Sequence, residues 1–389
     1  MKICSTICEY NPLHLGHLRH INYIRQNLSP DLTAVIMSGN FTQRGEGAVL
    51  DKYTRASHAI KAGADIVIEL PTVFALSNAE IFAKGGVKLI NALPKPNEIC
   101  FGTETDNLSS LISVAKLLAF ESEDFKKVLK TELDKGEPLV KARATALLQT
   151  AGDIDASVIS SPNNILGIEY IKAILENNYD ISIKNLKRDG NGYNETKITK
   201  ALPSALAIRT AISSGKKRKV KKLVPNFVYE DLPSNLPNFD KEIIFSLLHK
   251  TKEELSLILD CSEGLENKIK TAIKDSFTLT DLISNLKSKR YTESRIKRIL
   301  FSAMLGISKE FTFDCLNSDL YLKVLAINKD KLSALGELSN SKYPLITRKS
   351  DINKLSGIAK ECFEKDILAN DIYNLITNNK TNEFEMKLV

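Results

Sequence analysis

Short apolar runs alternate with amphipathic stretches through the first half of the chain. Runs rich in β-branched residues that end at turn residues predict buried strands over Ile3–Cys8, Leu32–Met37, Asp65–Leu70, Glu98–Phe101 and Ile181–Leu186. Apolar residues with helical spacing predict helices over His17–Gln26, Asp51–Ala62, Asn78–Asn91, Leu108–Phe120 and Asn164–Glu176. Strands that alternate with helices of this length indicate βαβ units, so we expect an α/β fold with a Rossmann-like parallel sheet.

The pattern changes after about residue 215, where strand signals fade and helical periodicity takes over. One apolar stripe, for example, contains Ile296, Ile299, Leu300 and Ala303. The stretch from 225 to 239 contains three prolines and predicts an irregular connection. We therefore expect a Rossmann-like domain over residues 1–215 and a mainly α-helical domain over residues 216–389, with the weakest pattern in the last sixty residues.

Length and composition fit a globular protein of two domains. The 389 residues exceed what one core usually serves, and 43% of them are hydrophobic. No apolar run approaches the ~20 residues of a membrane span, and the first residues lack signal-peptide features, so we expect a cytoplasmic protein with no membrane contact. The net charge of +7 suits a polyanion such as RNA without requiring one. Six scattered cysteines without a C-x-x-C pair predict packing roles.

The loop after the first predicted strand carries the candidate chemistry, the sequence His14-Leu15-Gly16-His17. A strand–loop–helix turn places this loop at the carboxyl edge of a parallel sheet, where such sheets bind ligands. A helix N-terminus attracts phosphate, and Gly16 allows the backbone to approach it. His14 and His17 can donate hydrogen bonds to an α-phosphate as charge develops there. The alternative is that these histidines cap a helix or lie on a surface.

An H-x-G-H sequence at the end of the first strand is the signature of the HIGH-type nucleotidyltransferase superfamily, whose members attack the α-phosphate of a nucleotide. Further segments match one bacterial family within this superfamily and occur in the same order as in that family, from residue 1 to about 310. They are Glu9–Pro12, Met37–Glu46, Asp51–Ala56, Asp65–Pro71, Phe101–Glu104, Pro162–Gly167, Lys187–Arg188, Ser204–Arg209 and Arg290–Ile296. On these segments the chain resembles the bacterial tRNA(Met) cytidine acetate ligase family. It departs from the family at Leu13, Leu15, Gly47 and Asn194, where phenylalanine, asparagine, proline and histidine are usual.

The resemblance implies a ligase that uses ATP to adenylate acetate and transfers the acetyl group to the wobble cytidine amine of elongator tRNA(Met). His14 and His17 would be the catalytic residues. The implied ATP site comprises Ile7, Glu9, Tyr10, Asn11, Pro12, Leu13, His14, Gly16, His17, His20, Gly102, Asn163, Asn164 and Arg188, with either asparagine touching ATP. The sequence shows no metal-ligand spacing, and Mg²⁺ would arrive with ATP.

Several polar segments allow two interpretations. Gln43 and Arg44 either contact acetate, ATP or tRNA or belong to an ordinary loop. Asp51, Lys52 and Arg55 fit ion pairing along a helix as well as catalysis. His58 and His249 are assigned to the core or the surface.

Two basic clusters are candidates for RNA binding. The run from 216 to 222 is either a solvated charge run or a phosphate-binding surface. In the second cluster, Tyr291 is predicted to stack on a base while cations hold the backbone: Lys287, Lys289, Arg290, Arg295, Lys297 and Arg298. Two other functions stay open, a small-molecule adenylyltransferase and a non-catalytic RNA-binding protein with an inactive nucleotide site.

Overall fold

A central sheet is the framework of the computed structural model, which describes residues 1–137, 139–150, 156–188, 204–288 and 290–389. Over these residues the strands are β1 Ile3–Cys8, β2 Leu32–Ser38, β3 Phe41–Thr42, β4 Glu46–Gly47, β5 Ile66–Leu70, β6 Asn97–Thr103, β7 Ile181–Lys187, β8 Leu322–Ile327, β9 Leu345–Ile346 and β10 Lys387–Leu388. The predicted strand Ile3–Cys8 is confirmed residue for residue. The other predicted strands are confirmed with ends that shift by one or two residues.

Five parallel strands of the first half lie in the order β5-β2-β1-β6-β7. The chain moves outward from β1 in one direction and then crosses to the other side, which is a doubly wound arrangement and confirms the α/β prediction. β1 pairs with β2 along its whole length, but its ladder with β6 covers only Ile3–Ser5. Therefore β1 and β6 separate toward their carboxyl ends. A crevice opens at the point where the strand order reverses.

The helices of the first half are α1 Leu15–Tyr23, α2 Lys52–Lys61, α3 Thr72–Ala75, α4 Ala79–Ala92, α5 Leu108–Ala119, α6 Glu123–Asp134, α7 Leu139–Thr150, α8 Ala156–Ser160, α9 Pro162–Glu176 and α10 Ala205–Ser213. α2 and α4 confirm the predicted N-caps, because the side chains of Asp51 and Asn78 accept backbone N–H groups there. The predicted start of the first helix is wrong by two residues, since α1 begins at Leu15 and continues into a π-helical turn over Ile24–Leu28.

Helices also form most of the second half: α11 Asn226–Asp231, α12 Asp240–His249, α13 Lys252–Ser256, α14 Leu265–Ala272, α15 Leu279–Leu286, α16 Glu293–Leu305, α17 Lys309–Asn317, α18 Ala334–Leu338 and α19 Gly357–Thr377. The predicted apolar stripe on α16 lies in the core, where Ile296 and Ile299 are buried. The predicted stripe on α12 is wrong at Leu248, which is exposed. The helices themselves confirm the mainly helical character of the segment. The proline-containing stretch from 225 to 239 contains α11 and otherwise irregular backbone.

The chain returns to the first sheet from β8 onward. β8 pairs antiparallel with β5, while β9 and β10 pair with β8 in parallel. β8 is buried along its whole length, so an apolar strand from the second half completes the sheet of the first half. The two halves share this sheet. The domain boundary that we placed at residue 215 therefore stays a prediction.

A buried cluster of four charges ties the C-terminal segment to the sheet. Lys52 Nζ lies 2.8 Å from Glu69 Oε1 and 2.6 Å from Glu383 Oε1. Lys323 Nζ lies 3.2 Å from Glu69 Oε2 and also contacts Glu383. Two positive and two negative charges balance, which makes their burial tolerable. Ion pairing along the helix is therefore wrong for Lys52, whose partners come from β5 and the C-terminal segment.

Two further features concern the whole chain. The six cysteines are free thiols, and all except Cys8 are buried. Among the described residues, no helix is both long enough and apolar enough to cross a bilayer.

Consecutive glycines bring α4 close to its neighbours. A Cβ atom at Gly85 would lie 2.4 Å from Phe74 Cγ, and one at Gly86 would lie 2.6 Å from Ile7 Cδ1. Neither contact can form without a shift, because the atoms belong to buried side chains. The close approach of α4 to α3 and β1 therefore depends on both glycines.

We predict that Gly85→Ala lowers the free energy of unfolding by about 1–3 kcal/mol, because the added methyl group overpacks against Phe74. Gly336→Ala in α18 is the matched control, since a Cβ there meets no heavy atom within 4 Å. It should leave stability unchanged or raise it by up to ~1 kcal/mol. Chemical denaturation measures both variants, and equal stabilities would contradict the close packing of α4.

Candidate active site

The loop between β1 and α1 turns sharply at the carboxyl end of β1. Tyr10 has a φ of 45°, which is uncommon for a bulky residue, and the peptide bond between Asn11 and Pro12 is cis. The Asn11 side-chain oxygen accepts the N–H of Val49 at 2.8 Å, and its backbone carbonyl accepts Nη1 of Arg209 at 2.9 Å. Neighbouring segments therefore hold this unusual backbone from two sides.

Arg55 holds the loop to the end of β2. Its side chain is fully buried, and its guanidinium donates to the carbonyls of Glu9 at 2.6 Å, Ser38 at 3.1 Å and Leu50 at 2.9 Å, and also to that of Gly39. All of these acceptors are backbone oxygens. The planar guanidinium, with several donors in fixed directions, suits this task. Arg55 is therefore a positioning residue, and neither ion pairing along its helix nor direct catalysis describes it.

His14 caps α1 with its ring. The N–H of Gly16 donates to His14 Nδ1 at 3.1 Å, so an imidazole nitrogen takes the place that a serine or aspartate oxygen usually has at a helix N-cap. A Cβ at Gly16 would lie 2.9 Å from His14 Cε1. Glycine is therefore needed for the ring to reach this position.

His17 completes a reciprocal cap. The backbone N–H of His14 donates to His17 Nδ1 at 3.3 Å, and the two rings stack with centroids 3.7 Å apart and an interplanar angle of 18°. The Tyr10 ring lies 4.9 Å from the His17 ring, measured between centroids. Two neighbouring imidazoles are thus fixed side by side at the head of α1. The capping interpretation of the two histidines is confirmed, and their catalytic role stays a prediction.

These bonds fix the tautomer of both rings. Because each Nδ1 accepts a backbone N–H, the proton of a neutral ring must be on Nε2. Burial, followed by the charge of Arg188, lowers the pKa of His14 to about 3. Burial also holds the pKa of His17 well below its ordinary value, with His14, Arg188 and His20 acting in the same direction. At neutral pH both rings are uncharged and each offers one Nε2–H donor.

His20 lies one helical turn further along α1. Its Nε2 is 3.3 Å from Cys100 Sγ on β6. Burial, and then Arg188, lower the pKa of His20 to about 4, while burial raises the pKa of the Cys100 thiol. Both groups are therefore uncharged near neutral pH. Of the two, His20 lines the cavity, and Cys100 is buried behind it.

Glu104 holds the first turn of α9, and that turn brings Asn163 to the wall of the crevice. Glu104 Oε1 accepts Nδ2 of Asn163 at 2.6 Å, and its Oε2 accepts the backbone N–H of Asn164 at 2.9 Å. The Asn164 side-chain oxygen accepts the N–H of Glu104 at 2.9 Å. The carboxylate lies at the positive end of the helix, where its charge is stabilised. The two asparagines therefore help to fix this wall.

Gly102 and Arg188 lie together at the ends of β6 and β7. A Cβ at Gly102 would lie 3.2 Å from Arg188 Cγ, so glycine leaves room for the arginine stem to cross the strand. The Arg188 N–H donates to the Thr103 carbonyl at 2.8 Å. Arg188 lies next to the imidazoles closely enough to lower their pKa values. Its positive charge therefore lies near the two imidazoles.

One cavity unites most of the predicted residues, and the space at it amounts to about 1270 Å³ when its open, solvent-filled mouth is included. The predicted residues that line it are Ile7, Glu9, Tyr10, Asn11, His14, Gly16, His17, His20, Gly102, Asn163 and Arg188. Pro12, Leu13 and Asn164 are buried next to it instead, and Leu13 packs in an apolar cluster with Tyr10 and Ile21. Of the two asparagines, it is Asn163 that reaches the cavity.

Sequence reasoning missed several residues of this cavity, and some of them form its apolar surface: Phe82, Phe101, Leu166, Tyr170 and Leu186. Arg209 also lines it, and Nη2 of that buried arginine lies 3.2 Å from Glu46 Oε2. The segment from Ser204 to Arg209 matched the family order, which was the available signal. Phe101 and Leu166 also lie in segments that matched the family order, whereas Phe82, Tyr170 and Leu186 gave no signal because they look like ordinary core positions.

The loop after β2 folds into the short hairpin of β3 and β4 and brings Gln43 and Arg44 to the cavity. The Gln43 N–H donates to Glu9 Oε1 at 2.8 Å. A Cβ at Gly47 would collide with the Phe239 ring, 2.2 Å from Cε2. Phe239 therefore fills the position at which the family usually has proline. The departures around Asn194 lie outside the described residues.

The predicted base-stacking role of Tyr291 is wrong. The ring is 3% exposed, its hydroxyl donates to the Ser262 carbonyl at 2.9 Å, and Arg295 covers its face at 5.0 Å from the centroid. Lys297 pairs with Glu46 at 3.1 Å. The aromatic ring is thus part of the core, and Lys289 lies outside the described residues.

The cavity offers few metal ligands. Glu9 is the one carboxylate among the described residues that line it, and burial raises its pKa. Among the described residues no group of three or more histidine, cysteine, aspartate or glutamate side chains could hold a metal ion. Any Mg²⁺ at this cavity would depend mainly on phosphate oxygens of a nucleotide.

Comparison with known proteins first defines the class. A family model described as HIGH Nucleotidyl Transferase matches residues 1–387. The tRNA(Met) cytidine acetate ligase of Clostridium novyi (strain NT) is 36% identical over 400 residues, which cover 100% of this chain and 98% of that protein. The ligase of the same name from Caldanaerobacter subterraneus subsp. tengcongensis is 38% identical over 390 residues, which cover 97% and 96%. The chain therefore belongs to the HIGH nucleotidyl transferase family, and within it to the tRNA(Met) cytidine acetate ligase family.

A solved structure agrees over the whole chain. The crystal structure of Thermotoga maritima TmcAL bound with alpha-thio ATP superimposes with a TM-score of 0.91 at 28% identity and covers 100% of both chains. A protein with the same fold and detectable sequence similarity thus binds an ATP analogue.

We predict that the His14 imidazole makes stability depend on pH below neutrality. The unfolded chain takes up this proton near pH 6.5, whereas the folded ring, with a pKa of about 3, does not. The unfolded state therefore binds more protons between these values, and stability falls as pH drops from about 6.5 by ~1 kcal/mol per pH unit for this group.

His14→Asn tests this, because an asparagine oxygen can still accept the Gly16 N–H as an N-cap. Denaturant unfolding of both proteins at pH 7, 6 and 5 should give a shallower decline for the variant. Equal declines would contradict the lowered pKa.

Proposed function

We propose that the chain is an ATP-dependent ligase that activates acetate as acetyl-adenylate and transfers the acetyl group to the wobble cytidine amine of elongator tRNA(Met). The observation that carries the proposal is the pair of neutral imidazoles, His14 and His17, fixed side by side in the cavity. The printed names of the relatives support the acceptor. A reaction between ATP and tRNA also supports the cytoplasm as its location.

In the first step, an acetate oxygen attacks the α-phosphorus of ATP. A P–O bond to acetate forms, the bond to the bridging oxygen of the β-phosphate breaks, and pyrophosphate leaves. Negative charge on the α-phosphate oxygens is stabilised by the Nε2–H groups of His14 and His17 and by the positive end of the α1 dipole. Because both imidazoles are already oriented by the helix cap, their Nε2–H groups can donate without reorganising.

The cations of the cavity would stabilise the anionic reactants. Arg44, Arg188 and Arg209 all line it. Triphosphate and acetate both carry negative charge, and a guanidinium can bind either with two parallel donors. Mg²⁺, bound to the triphosphate, would reduce the charge that these arginines have to balance. Glu9 is the carboxylate placed to contact such an ion or its water.

In the second step, the cytidine amine attacks the acetyl carbonyl of the mixed anhydride. The bond between the carbonyl carbon and the AMP oxygen breaks, AMP leaves, and the amine loses one proton. Cys8 lines the cavity and is partly buried. Loss of solvation raises the pKa of its thiol and keeps it protonated, which supports direct transfer. A protonated thiol is a poor nucleophile, so an acyl-enzyme has little chemical basis here.

We predict that incubation with tRNA(Met), ATP and labelled acetate places the label in cytidine after digestion of the RNA. Omission of ATP should abolish the label, since acetate cannot be activated. A tRNA(Met) with uridine at the wobble position is the control and should stay unlabelled. ATP consumption with a small acceptor and no label in cytidine would instead favour a small-molecule adenylyltransferase. Absence of any ATP turnover would favour a non-catalytic RNA-binding protein.

We further predict that His14→Asn lowers acetate-dependent AMP formation by about 10²–10³-fold, because the helix cap is kept while the Nε2–H donor is lost. The melting temperature should change little. His249→Asn is the control, since that histidine is exposed on α12 and hydrogen-bonded to Phe245, and it should retain full activity. A His14→Asn enzyme that works at nearly the normal rate would exclude the role assigned to this ring.

A further inference from the structure

A surface segment rich in cations lies between α10 and α11. We call it the basic segment and define it as the basic side chains Lys216, Lys217, Arg218, Lys219, Lys221 and Lys222. All of them except Lys217 are exposed. Within the part of the chain that the structure describes, no carboxylate forms an ion pair with any of the six. Glu230 borders the same shallow surface without pairing.

The basic segment is a firm platform. Val220 and Val224 are buried and anchor it in the apolar cluster that also contains Leu13 and Ile21. Lys217 Nζ donates to the carbonyl of Leu232. The segment therefore presents its charges from a packed backbone, so that little conformational entropy of the main chain is lost when a ligand binds.

The basic segment adjoins the catalytic helix directly. The N–H of Leu15, the first residue of α1, donates to the carbonyl of Leu223 at 3.1 Å. The cap residue His14 precedes this donor by one position. A polymer that lies on the basic segment can therefore continue into the cavity that His14 and His17 line.

The second basic cluster lacks these properties. Lys287 pairs with Glu293 at 3.5 Å, and Arg298 donates to the Gln43 carbonyl at 3.1 Å. Arg295 is used by the carbonyl of Asp260 at 2.6 Å. Its cations thus hold α16 to neighbouring segments and are largely occupied. In the basic segment, Lys217 donates to the Leu232 carbonyl, and Lys217 and Lys221 lie over the Tyr229 ring, but none of the six side chains has an ion-pair partner among the described residues.

We propose that the basic segment binds the phosphate backbone of the RNA substrate while the target cytidine occupies the cavity. This proposal rests on the proposed function. Six neighbouring cations repel one another, and a polyanion relieves that repulsion and releases its own counterions on binding. A single-stranded loop suits the site, since its bases can be turned out of the stack toward the cavity.

The test compares the intact chain with an Arg218→Ala, Lys219→Ala, Lys222→Ala variant in binding to tRNA(Met) over a series of salt concentrations. These three side chains are exposed and have no ion-pair partner among the described residues. We expect the variant to bind about tenfold to a hundredfold more weakly near 0.15 M salt, with a smaller slope of log affinity against log salt, by roughly 0.7 for each lost contact. Thermal stabilisation by ATP should be unchanged.

A charge-matched control shows whether weaker tRNA binding results from the loss of the basic segment or only from the lower net charge. Lys126→Ala, Lys127→Ala, Lys130→Ala on α6 also removes three exposed positive charges, and none of the three lines the cavity. Equal losses in the two variants, or no loss in the first, would overturn the proposal. Lost binding to phosphatidylserine vesicles with unchanged tRNA affinity would also overturn it, in favour of a membrane surface.

The outcomes also distinguish this proposal from the proposed function. If the intact chain binds tRNA through the basic segment but leaves cytidine unlabelled, the RNA-binding role of the segment is supported and the proposed ligase activity is rejected. If cytidine is labelled and the variant binds tRNA normally, the ligase activity is supported and the RNA-binding role of the basic segment is rejected. If the intact chain does not bind tRNA at all, that role is rejected directly.

Discussion

The head of α1 has free backbone N–H groups that must find acceptors, and the chain supplies imidazole nitrogens for them. His14 Nδ1 takes the N–H of Gly16, and His17 Nδ1 takes the N–H of His14. Each ring therefore gains an orientation, a tautomer and a close neighbour from the same bonds. The free Nε2–H edges follow from helix capping, so the chemistry of the cavity is a consequence of how the helix begins.

The position of this helix start depends on contacts from distant parts of the sequence. Arg55 gathers the carbonyls at the ends of β1 and β2, and Arg209 holds the carbonyl of Asn11. The buried charge cluster then ties the C-terminal segment to α2 and β5. The same helix α2 carries both Lys52 of this cluster and Arg55, which holds the loop. The helical half therefore supports the site of the first half as well as extending its surface.

Local patterns predicted the strands and most helices because burial imposes their period directly on the sequence. α1 began earlier than predicted because its cap is an imidazole, whereas cap signals are read from serine, threonine, aspartate and asparagine. β8 was missed because helices surround it and its partner β5 lies far back in the chain. Tyr291 looked like a base-stacking residue among cations, and only the packing of α14 and α16 shows that its ring is covered.

The sequence by itself determined the α/β class, the place of the H-x-G-H loop after the first strand, and the family order of the motifs. These are local properties, because a strand, a turn and a helix start are each encoded within a few residues. Only the tertiary structure decided which polar groups share the cavity and which basic cluster lacks ion-pair partners among the described residues. It also decided that Asn163 lines the cavity while Asn164 is buried. Those outcomes depend on contacts between residues far apart in the chain, where burial and pairing choose among side chains of the same type.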